Sequence, residues 1–316
     1  MTNAPHTPVL AEPFLALLCH HPDGHYVDAT FGRGGHSRLL LQKLSPQGRL
    51  LALDRDPEAI AVGRALEQED ARFRMVHADF ANLEEAMTEA GWQQADGIGF
   101  DLGVSSPQLD QAQRGFSFSH DGPLDMRMNP DDDVPLSTKL KRVKVPELTQ
   151  VLRDFGDERF ASRIARRIVE ALAEDRLHTT AELENICFHA VPPKARHSGS
   201  HPATRTFQAL RIWVNNEYGQ LHDGIQAAVR MLATGGHLSV ISFHSGEDRR
   251  VRDMIESEVR PCTCPPQFPI CVCHRQATLK WLQKKPVRAN EEELARNPRS
   301  RSALLRAAVR VAETSS

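Results

Sequence analysis

The chain has 316 residues, 40% of them hydrophobic, which is enough to bury one or two cores of ordinary size. Its formal net charge of −2 at pH 7 argues against a general nucleic-acid-binding protein, so a polynucleotide would need a local basic patch. The sequence has no apolar run of transmembrane length and no signal-peptide pattern at its start, which predicts a cytoplasmic protein without membrane contacts.

The first predicted elements are a helix, a strand and a glycine loop. Residues 9–19 have apolar side chains at helical spacing, and the apolar run that follows ends at Asp28. A strand that leads through a tight glycine loop into a helix is typical of nucleotide-binding α/β domains. The spacing Asp28-x-Thr30-x-Gly32-x-Gly34 is not the dinucleotide pattern Gly-x-Gly-x-x-Gly. It resembles the glycine loop of S-adenosylmethionine (SAM) methyltransferases.

Three further apolar runs end at or near an acidic residue: Asp54, Asp79 and Asp101. Helical patterns separate these runs, and Asp56 with Pro57 has the pattern of a helix start. A parallel sheet with helices on both faces is therefore predicted, in which ligands bind beyond the carboxyl ends of the strands. Asp54 can accept both hydroxyls of an adenosine ribose, as in NAD and SAM sites, and a solvated carboxylate is the alternative.

The alternation of strands and helices stops after the fourth strand. Between Asp110 and His201 the pattern shows amphipathic helices and loops, and Thr179 with Glu182 predicts a capping box at the start of one helix. This predicts an α/β domain interrupted by an all-helical insert. The predicted segments are 1–109 for the first part of the α/β domain, 110–201 for the insert and 202–316 for the second part.

The second part of the α/β domain has a simpler pattern. One helix is predicted through residues 207–225, and strands are predicted over 237–243 and 302–311, the last completing the sheet. Ser245 with Asp248 three residues later favours a helix cap over a metal site.

Four clustered cysteines lie in the second part of the α/β domain. Cys262 with Cys264, and Cys271 with Cys273, form two Cys-x-Cys pairs. In a cytoplasmic protein such clustering favours a tetrahedral structural zinc site over disulfides. The spacing differs from the usual Cys-x-x-Cys knuckles, and thiols packed among prolines are the alternative.

Six motifs in order carry a resemblance over nearly the full chain. They are Asp28–Ser37, Asp101–Asp110, Arg114–Phe118, Gly122–Met128, His201–Ile212 and Asn297–Ser302. Together they resemble the bacterial 16S ribosomal RNA (cytosine N4)-methyltransferase family (RsmH/MraW). The resemblance implies a Rossmann-like class I SAM-dependent methyltransferase sheet with an inserted helical substrate-recognition domain. One departure is Gly246, where the family usually has leucine.

The resemblance implies methyl transfer from SAM to the exocyclic amine of one cytidine in the decoding centre of 16S ribosomal RNA. The partner would be this RNA within the small ribosomal subunit. The implied SAM contacts are Gly34, Gly35, His36, Asp54, Phe80, Asp101 and Gln108.

Candidate catalytic residues follow the fourth strand. Cytosine's exocyclic nitrogen is a poor nucleophile because its lone pair is delocalised into the ring, and nearby acceptors would orient it as positive charge develops. By analogy with amino-methylating enzymes that act on DNA, Asp101, Ser105 and Ser106 are candidates for this role. A contact between Asp101 and SAM alone is an equal alternative.

Candidate RNA-binding residues lie mostly in the insert. Arg127 would meet a phosphate or a nearby acid, and the patch expected to face phosphates comprises Lys194, Arg196, His197, His201, Arg205 and Arg211. Ordinary surface ion pairs are the alternative for each. A flipped base would be framed by Phe116, Phe118, Met126 and Met128, or these side chains simply pack inside the protein.

Three other functions compete with this interpretation. A DNA amino-methyltransferase is disfavoured by the helical insert, and an NAD-dependent oxidoreductase by the glycine spacing. A noncatalytic RNA-binding or ribosome assembly protein would not need Asp54 or the glycine loop. The sequence leaves the oligomeric state open, a homodimer included.

Overall fold

The computed structural model describes residues 8–131, 134–196, 199, 201–265, 267, 270 and 272–312. Seven strands in this part of the chain form one sheet. They are β1 (His25–Asp28), β2 (Arg49–Asp54), β3 (Phe73–His77), β4 (Ala95–Asp101), β5 (Leu232–Ser242), β6 (Leu279–Trp281) and β7 (Leu304–Arg310).

The strand order is β3-β2-β1-β4-β5-β7-β6. Strands β1 to β5 pair in parallel, and β7 runs antiparallel to both β5 and β6. This strand order, with five parallel strands and β7 antiparallel between β5 and β6, is a Rossmann-like α/β sheet, and the predicted fold class is confirmed.

Thirteen α-helices occur in the described residues. They are α1 (Ala11–Leu18), α2 (Gly35–Lys43), α3 (Pro57–Glu69), α4 (Leu83–Glu89), α5 (Ser106–Asp110), α6 (Leu136–Arg142), α7 (Val145–Gly156), α8 (Ala161–Ala173), α9 (Thr180–Ala190), α10 (Thr204–Asn215), α11 (Glu217–Met231), α12 (Ser245–Val259) and α13 (Glu291–Arg296). None of the helices described is both long and apolar enough to cross a membrane.

The central strands are buried because helices cover them, which explains their nearly continuous apolar runs. Val27, Leu51, Leu53, Ile98 and Phe100 are fully buried in one core cluster. In the sheet, β1 lies between β2 and β4. Their last residues all lie at the carboxyl edge of the sheet.

The chain divides into two compact units. One ends at Gly103 and resumes at Gly219, and the other, here called the helical unit, is Val104–Tyr218. Inside the helical unit, α7 and α10 pack so closely that a Cβ added at Gly156 would lie 2.4 Å from the carbonyl oxygen of Arg205. This packing is why α10 clusters with the helices that precede it.

Two boundaries differ from the sequence prediction. The single helix predicted through 207–225 is two helices, because Asn216 adopts a left-handed conformation with φ of 48° between α10 and α11. Strand β5 begins at Leu232 rather than 237, and its register against β4 shifts between Ala95 and Gly97. The predicted caps at Asp56 and Thr179 are confirmed.

Candidate functional site

The glycine loop between β1 and α2 turns on two residues with positive φ. Gly32 has φ of 56° and Gly34 has φ of 76°, conformations that favour glycine. A Cβ at Gly34 would lie 2.6 Å from the ring of Phe31, whereas a Cβ at Gly32 would meet no described atom within 4 Å. Gly34 is thus required by packing, and Gly32 exposes bare backbone to open space. Gly35 then starts α2.

Asp54 ties the glycine loop to the end of β2. Its Oδ2 accepts from the Gly32 amide at 2.7 Å and its Oδ1 accepts from the Asp56 amide at 2.9 Å. Burial raises the pKa of Asp54 to about 6, against the lowering effect of these two bonds. Each carboxylate oxygen keeps acceptor capacity beyond its backbone bond, which is what a ribose hydroxyl needs.

Asp28, at the end of β1, accepts hydrogen bonds from other residues of the protein. The side chain is buried, and it accepts from the Ser37 hydroxyl at 2.6 Å and from the Thr30 amide at 3.2 Å. Burial raises its pKa, although the bond from Ser37 opposes the shift. The Thr30 hydroxyl in turn accepts from the Asp101 amide at 2.6 Å. Thr30 therefore joins β1 to β4, and sequence reasoning missed the role of Ser37.

The buried His36 pairs with Asp101, whose side chain is partly exposed. Nε2 of His36 lies 3.0 Å from the Val9 carbonyl oxygen, and Nδ1 lies 3.4 Å from Oδ2 of Asp101. The ring also packs against Phe14 at a centroid distance of 4.6 Å. Burial alone would lower the pKa of His36, but the Asp101 carboxylate outweighs it and the net shift is upward.

The other oxygen of Asp101 accepts no hydrogen bond from the part of the chain that the structure describes. Oδ1 is buried and has no hydrogen-bond partner among the described residues. Buried polar atoms are nearly always paired in native proteins, so such an atom calls for an explanation. A ligand that donates an N–H group to this oxygen would complete the pairing.

Phe80 and Asp79 follow β3. The Phe80 ring contacts Phe100 edge-to-face at 5.8 Å, and a Cβ added at Gly224 would lie 2.8 Å from that ring. Asp79 pairs with Arg55, with its Oδ1 2.9 Å from Nε. Of the four acidic residues predicted at this edge, Asp28 and Asp79 are thus bonded within the protein, while Asp54 and Asp101 retain acceptor capacity.

The predicted residues Ser105 and Gln108 lie in the helical unit, where they cap α5. The Ser105 hydroxyl accepts from the backbone of Gln108, and Oε1 of Gln108 accepts from the Ser105 amide at 2.9 Å. This reciprocal arrangement is a capping box, which gives both residues a structural reason to be present. Ser106 is the first residue of α5, and its side chain lies outside what the structure describes.

The predicted RNA-binding arginines are partly engaged inside the helical unit. Arg127 makes a bidentate pair with Asp125 at 2.8 Å, and Arg211 makes one with Glu217 at 2.8 Å. Arg205 donates to the carbonyl oxygen of Asp157 at 3.0 Å in an exposed contact. Their roles toward RNA remain predictions, and His197 lies outside the described residues.

A strained loop at residues 122–128 is held by two residues that sequence reasoning did not single out. Met126 is fully buried and has φ of 61°, an unusual conformation for a side chain of this size. Asn215 donates to the Met126 carbonyl oxygen at 2.7 Å and accepts from the Met128 amide at 2.7 Å. Arg114 donates to the Met128 carbonyl oxygen at 3.1 Å.

The side chains considered as a frame for the base are largely packed. Phe116 and Met126 are buried, and Phe118 contacts Phe207 edge-to-face at 5.0 Å. In the structure these three side chains therefore pack inside the protein, which was the alternative to framing a base.

The helix cap predicted at Ser245 is one residue too late. His244 is the N-cap of α12, and its Nδ1 accepts from the Glu247 amide at 3.4 Å, while Glu247 accepts from the Phe243 amide at 2.8 Å. Histidine is an uncommon cap, which is why the pattern pointed to the serine instead. Asp248 is paired with Arg306 at 2.6 Å.

Three of the four clustered cysteines are described, and they lie together. The Sγ atoms of Cys262, Cys264 and Cys273 are all within 4.8 Å of one another. Cys271 lies outside the described residues.

Comparison with known proteins shows the family of this chain. The model of the MraW methylase family matches residues 3–311. A protein of Heliobacterium modesticaldum named Ribosomal RNA small subunit methyltransferase H is 47% identical over 97% of this chain and 98% of its own length. The protein of that name from Coxiella burnetii is 48% identical over 95% and 97%.

Among solved structures, a rRNA methylase from Streptococcus thermophilus aligns over 95% of this chain and 93% of its own, with a TM-score of 0.40 and 10% identity. The family model matches nearly the whole chain. The two relatives align with this chain over nearly their full lengths. The chain therefore belongs to the MraW methylase family.

Proposed function

We propose that this protein transfers a methyl group from SAM to N4 of one cytidine in the decoding centre of 16S ribosomal RNA. The observation that carries the proposal is acceptor capacity at the carboxyl ends of β2 and β4: the Asp54 carboxylate keeps lone pairs beyond its two backbone bonds, and Oδ1 of Asp101 is buried without a partner among the described residues. Membership of the MraW methylase family supports it, as do relatives named as methyltransferases of the small-subunit RNA.

SAM fits the donors and acceptors of this edge. Asp54 would accept from the ribose hydroxyls, and the exposed backbone at Gly32 would lie beside the methionine part. Oδ1 of Asp101 would accept from the ammonium of SAM, because a charged donor relieves a buried carboxylate oxygen better than a neutral one does. This favours cofactor binding over base orientation as the role of Asp101.

When bound, SAM would supply the methyl group of its sulfonium: N4 of the cytosine would attack the methyl carbon, the carbon–sulfur bond would break with release of S-adenosylhomocysteine, and N4 would lose one proton. The protein needs to align the two groups and exclude water, which can supply several kcal/mol of the barrier. His36 contributes by holding Oδ2 of Asp101, so that Oδ1 stays aimed at the ligand. No strong base is required, since the proton is lost from a nitrogen that has become cationic.

The RNA must present an unstacked cytidine, since the reacting amine is not accessible inside a helix. We assign substrate recognition to the helical unit and phosphate contacts first to Lys194 and Arg205, whose side chains are exposed. The assembled small subunit, in the cytoplasm, is the proposed substrate. A role for the bidentate arginines Arg127 and Arg211 would require them to leave their carboxylate partners.

The test is mass mapping of 16S ribosomal RNA from cells that lack this protein. One methyl group should be missing from one cytidine of the decoding centre, and the wild-type chain should restore it while Asp101→Ala does not. Purified protein should methylate small subunits and leave duplex DNA unmodified. Full methylation of the RNA without the protein, or methylation of DNA only, would rule the proposal out.

A further inference from the structure

The segment that links α12 to β6, residues 260–278, is here called the cysteine loop. The two large hydrophobic side chains among its described residues are exposed, Ile270 by 76% and Val272 by 59%. Burial of these side chains therefore does not hold the loop together. A loop of this kind needs a cross-link or a bound ion to keep one conformation.

The base of the cysteine loop is closed by hydrogen bonds between its two ends. The Thr278 amide donates to the Glu258 carbonyl oxygen at 3.0 Å, and the Thr278 hydroxyl donates to the Glu258 carboxylate. Nearby, Nε1 of Trp281 donates to the carboxylate of Glu256 at 2.7 Å. These bonds bring the end of α12 beside the start of β6, so cysteines from the two sides of the loop can meet.

The meeting point is a cluster of sulfur atoms. Cys262 and Cys264 come from the first side and Cys273 from the second, with Sγ atoms within 4.8 Å of one another. Zinc binds thiolates at about 2.3 Å, so two sulfurs on one tetrahedral ion are about 3.8 Å apart. Separations of no more than 4.8 Å are compatible with that spacing. The Val272 amide also donates to Sγ of Cys264 at 3.3 Å, a bond that stabilises a thiolate.

We propose that Cys262, Cys264 and Cys273 bind one structural zinc ion through their thiolates, which fixes the cysteine loop. Three sulfur ligands select a soft tetrahedral ion, and a fourth donor completes the shell. The three cysteines are far in sequence from the acidic strand ends at Asp54 and Asp101, and the ion takes no part in methyl transfer. Its contribution is to stability, because ion binding and ordering of the loop are one equilibrium.

The first test is the metal content of the full-length protein purified from zinc-replete cells. About one zinc per chain is expected, with most of it lost in Cys273→Ser and retained in the control Cys19→Ser, whose cysteine lies outside the cluster. Cobalt in place of zinc should give thiolate-to-cobalt charge-transfer absorption, absent from Cys273→Ser. Removing zinc from the wild type with a chelator should expose three additional reactive thiols and lower the Tm.

Several outcomes would overturn the proposal. A folded wild-type protein without zinc, iron in place of zinc, or an intact disulfide among these cysteines would each do so. Unchanged zinc content in Cys273→Ser would do so as well. If that variant fails to fold, the cobalt spectrum and thiol counting on the wild type decide alone.

Discussion

Nδ1 of His36 lies 3.4 Å from Oδ2 of Asp101, while Oδ1 of the same carboxylate is buried without a partner among the described residues. The imidazole thus occupies one oxygen and leaves the other for a ligand. A carboxylate held in this way has a fixed direction before any ligand arrives, which lowers the ordering cost of binding.

Asp101→Asn tests this directly, because it keeps the shape of the side chain and removes its charge. Hydrogen bonds to charged groups are worth about 1.5–3 kcal/mol, so SAM should bind roughly 10- to 150-fold more weakly. Isothermal titration with SAM measures the loss. The control Glu69→Gln removes an exposed carboxylate paired with Arg38 and should leave SAM affinity unchanged. Equal affinities for wild type and Asp101→Asn would contradict a contact between Asp101 and SAM.

The affinity for SAM should depend on pH through Asp54. Burial raises the pKa of this carboxyl to about 6, so the acceptor form is lost as the pH falls through that value. Between pH 7 and pH 5 the ionised fraction drops about tenfold, and SAM affinity should drop with it. Asp54→Asn removes the titration, so its affinity should be low and nearly flat over this range. A wild-type profile parallel to that of Asp54→Asn would exclude Asp54 as the acceptor.

Gly224→Ala should destabilise the protein, although alanine is the better helix former. In an open helix this change stabilises by about 1 kcal/mol, but here the new Cβ would lie 2.8 Å from the ring of Phe80. The expected result is a lower free energy of unfolding in urea and weaker SAM binding, since Phe80 is a predicted cofactor contact. Phe80→Leu in the same chain should recover part of the stability. Increased stability of Gly224→Ala would show that Phe80 moves aside without cost.

Asn215→Ala should loosen the loop that contains Met126. The change removes three hydrogen bonds, a buried one to Met126 and partly buried ones to Met128 and Arg211, and leaves loop backbone groups unpaired, each at a cost of about 1–3 kcal/mol. Urea unfolding and hydrogen exchange at Met128 measure the effect. The neighbouring control Asn216→Gly should be tolerated, because Asn216 already has φ of 48°. Unchanged protection of the Met128 amide from hydrogen exchange would show that Asn215 does not hold this loop.

Much of the sheet follows from short-range patterns in the sequence. Strands β1, β2 and β4 have buried apolar runs that end in acidic residues, and Asp79 follows β3 by two residues, so these strands and the edge where their acidic ends lie could be predicted. Strand β6 could not, because three residues at the sheet edge carry no periodicity and gain their place only by pairing with β7. The break at Asn216 was missed because the apolar spacing of α10 continues into α11.

The candidate site was predicted in part for similar reasons. Asp54 and the glycines are marked by local spacing, whereas the bonds from Ser37 to Asp28 and from Arg211 to Glu217 depend on how side chains meet after folding. Ser105 was assigned to catalysis by analogy with amino-methylating enzymes that act on DNA, and Gln108 was assigned to cofactor binding by the family resemblance. Their capping box adds a structural role that a motif cannot separate from a chemical one.

The placement of β7 between β5 and β6 has a consequence for biosynthesis. The last strand to be made is the partner of β5 and of β6, so neither can complete its pairing until residue 310 has left the exit tunnel. Until then β5 presents an open edge of unpaired backbone groups, a template for aggregation. A nascent chain stalled shortly before Leu304 should therefore depend on chaperones more than the finished protein does.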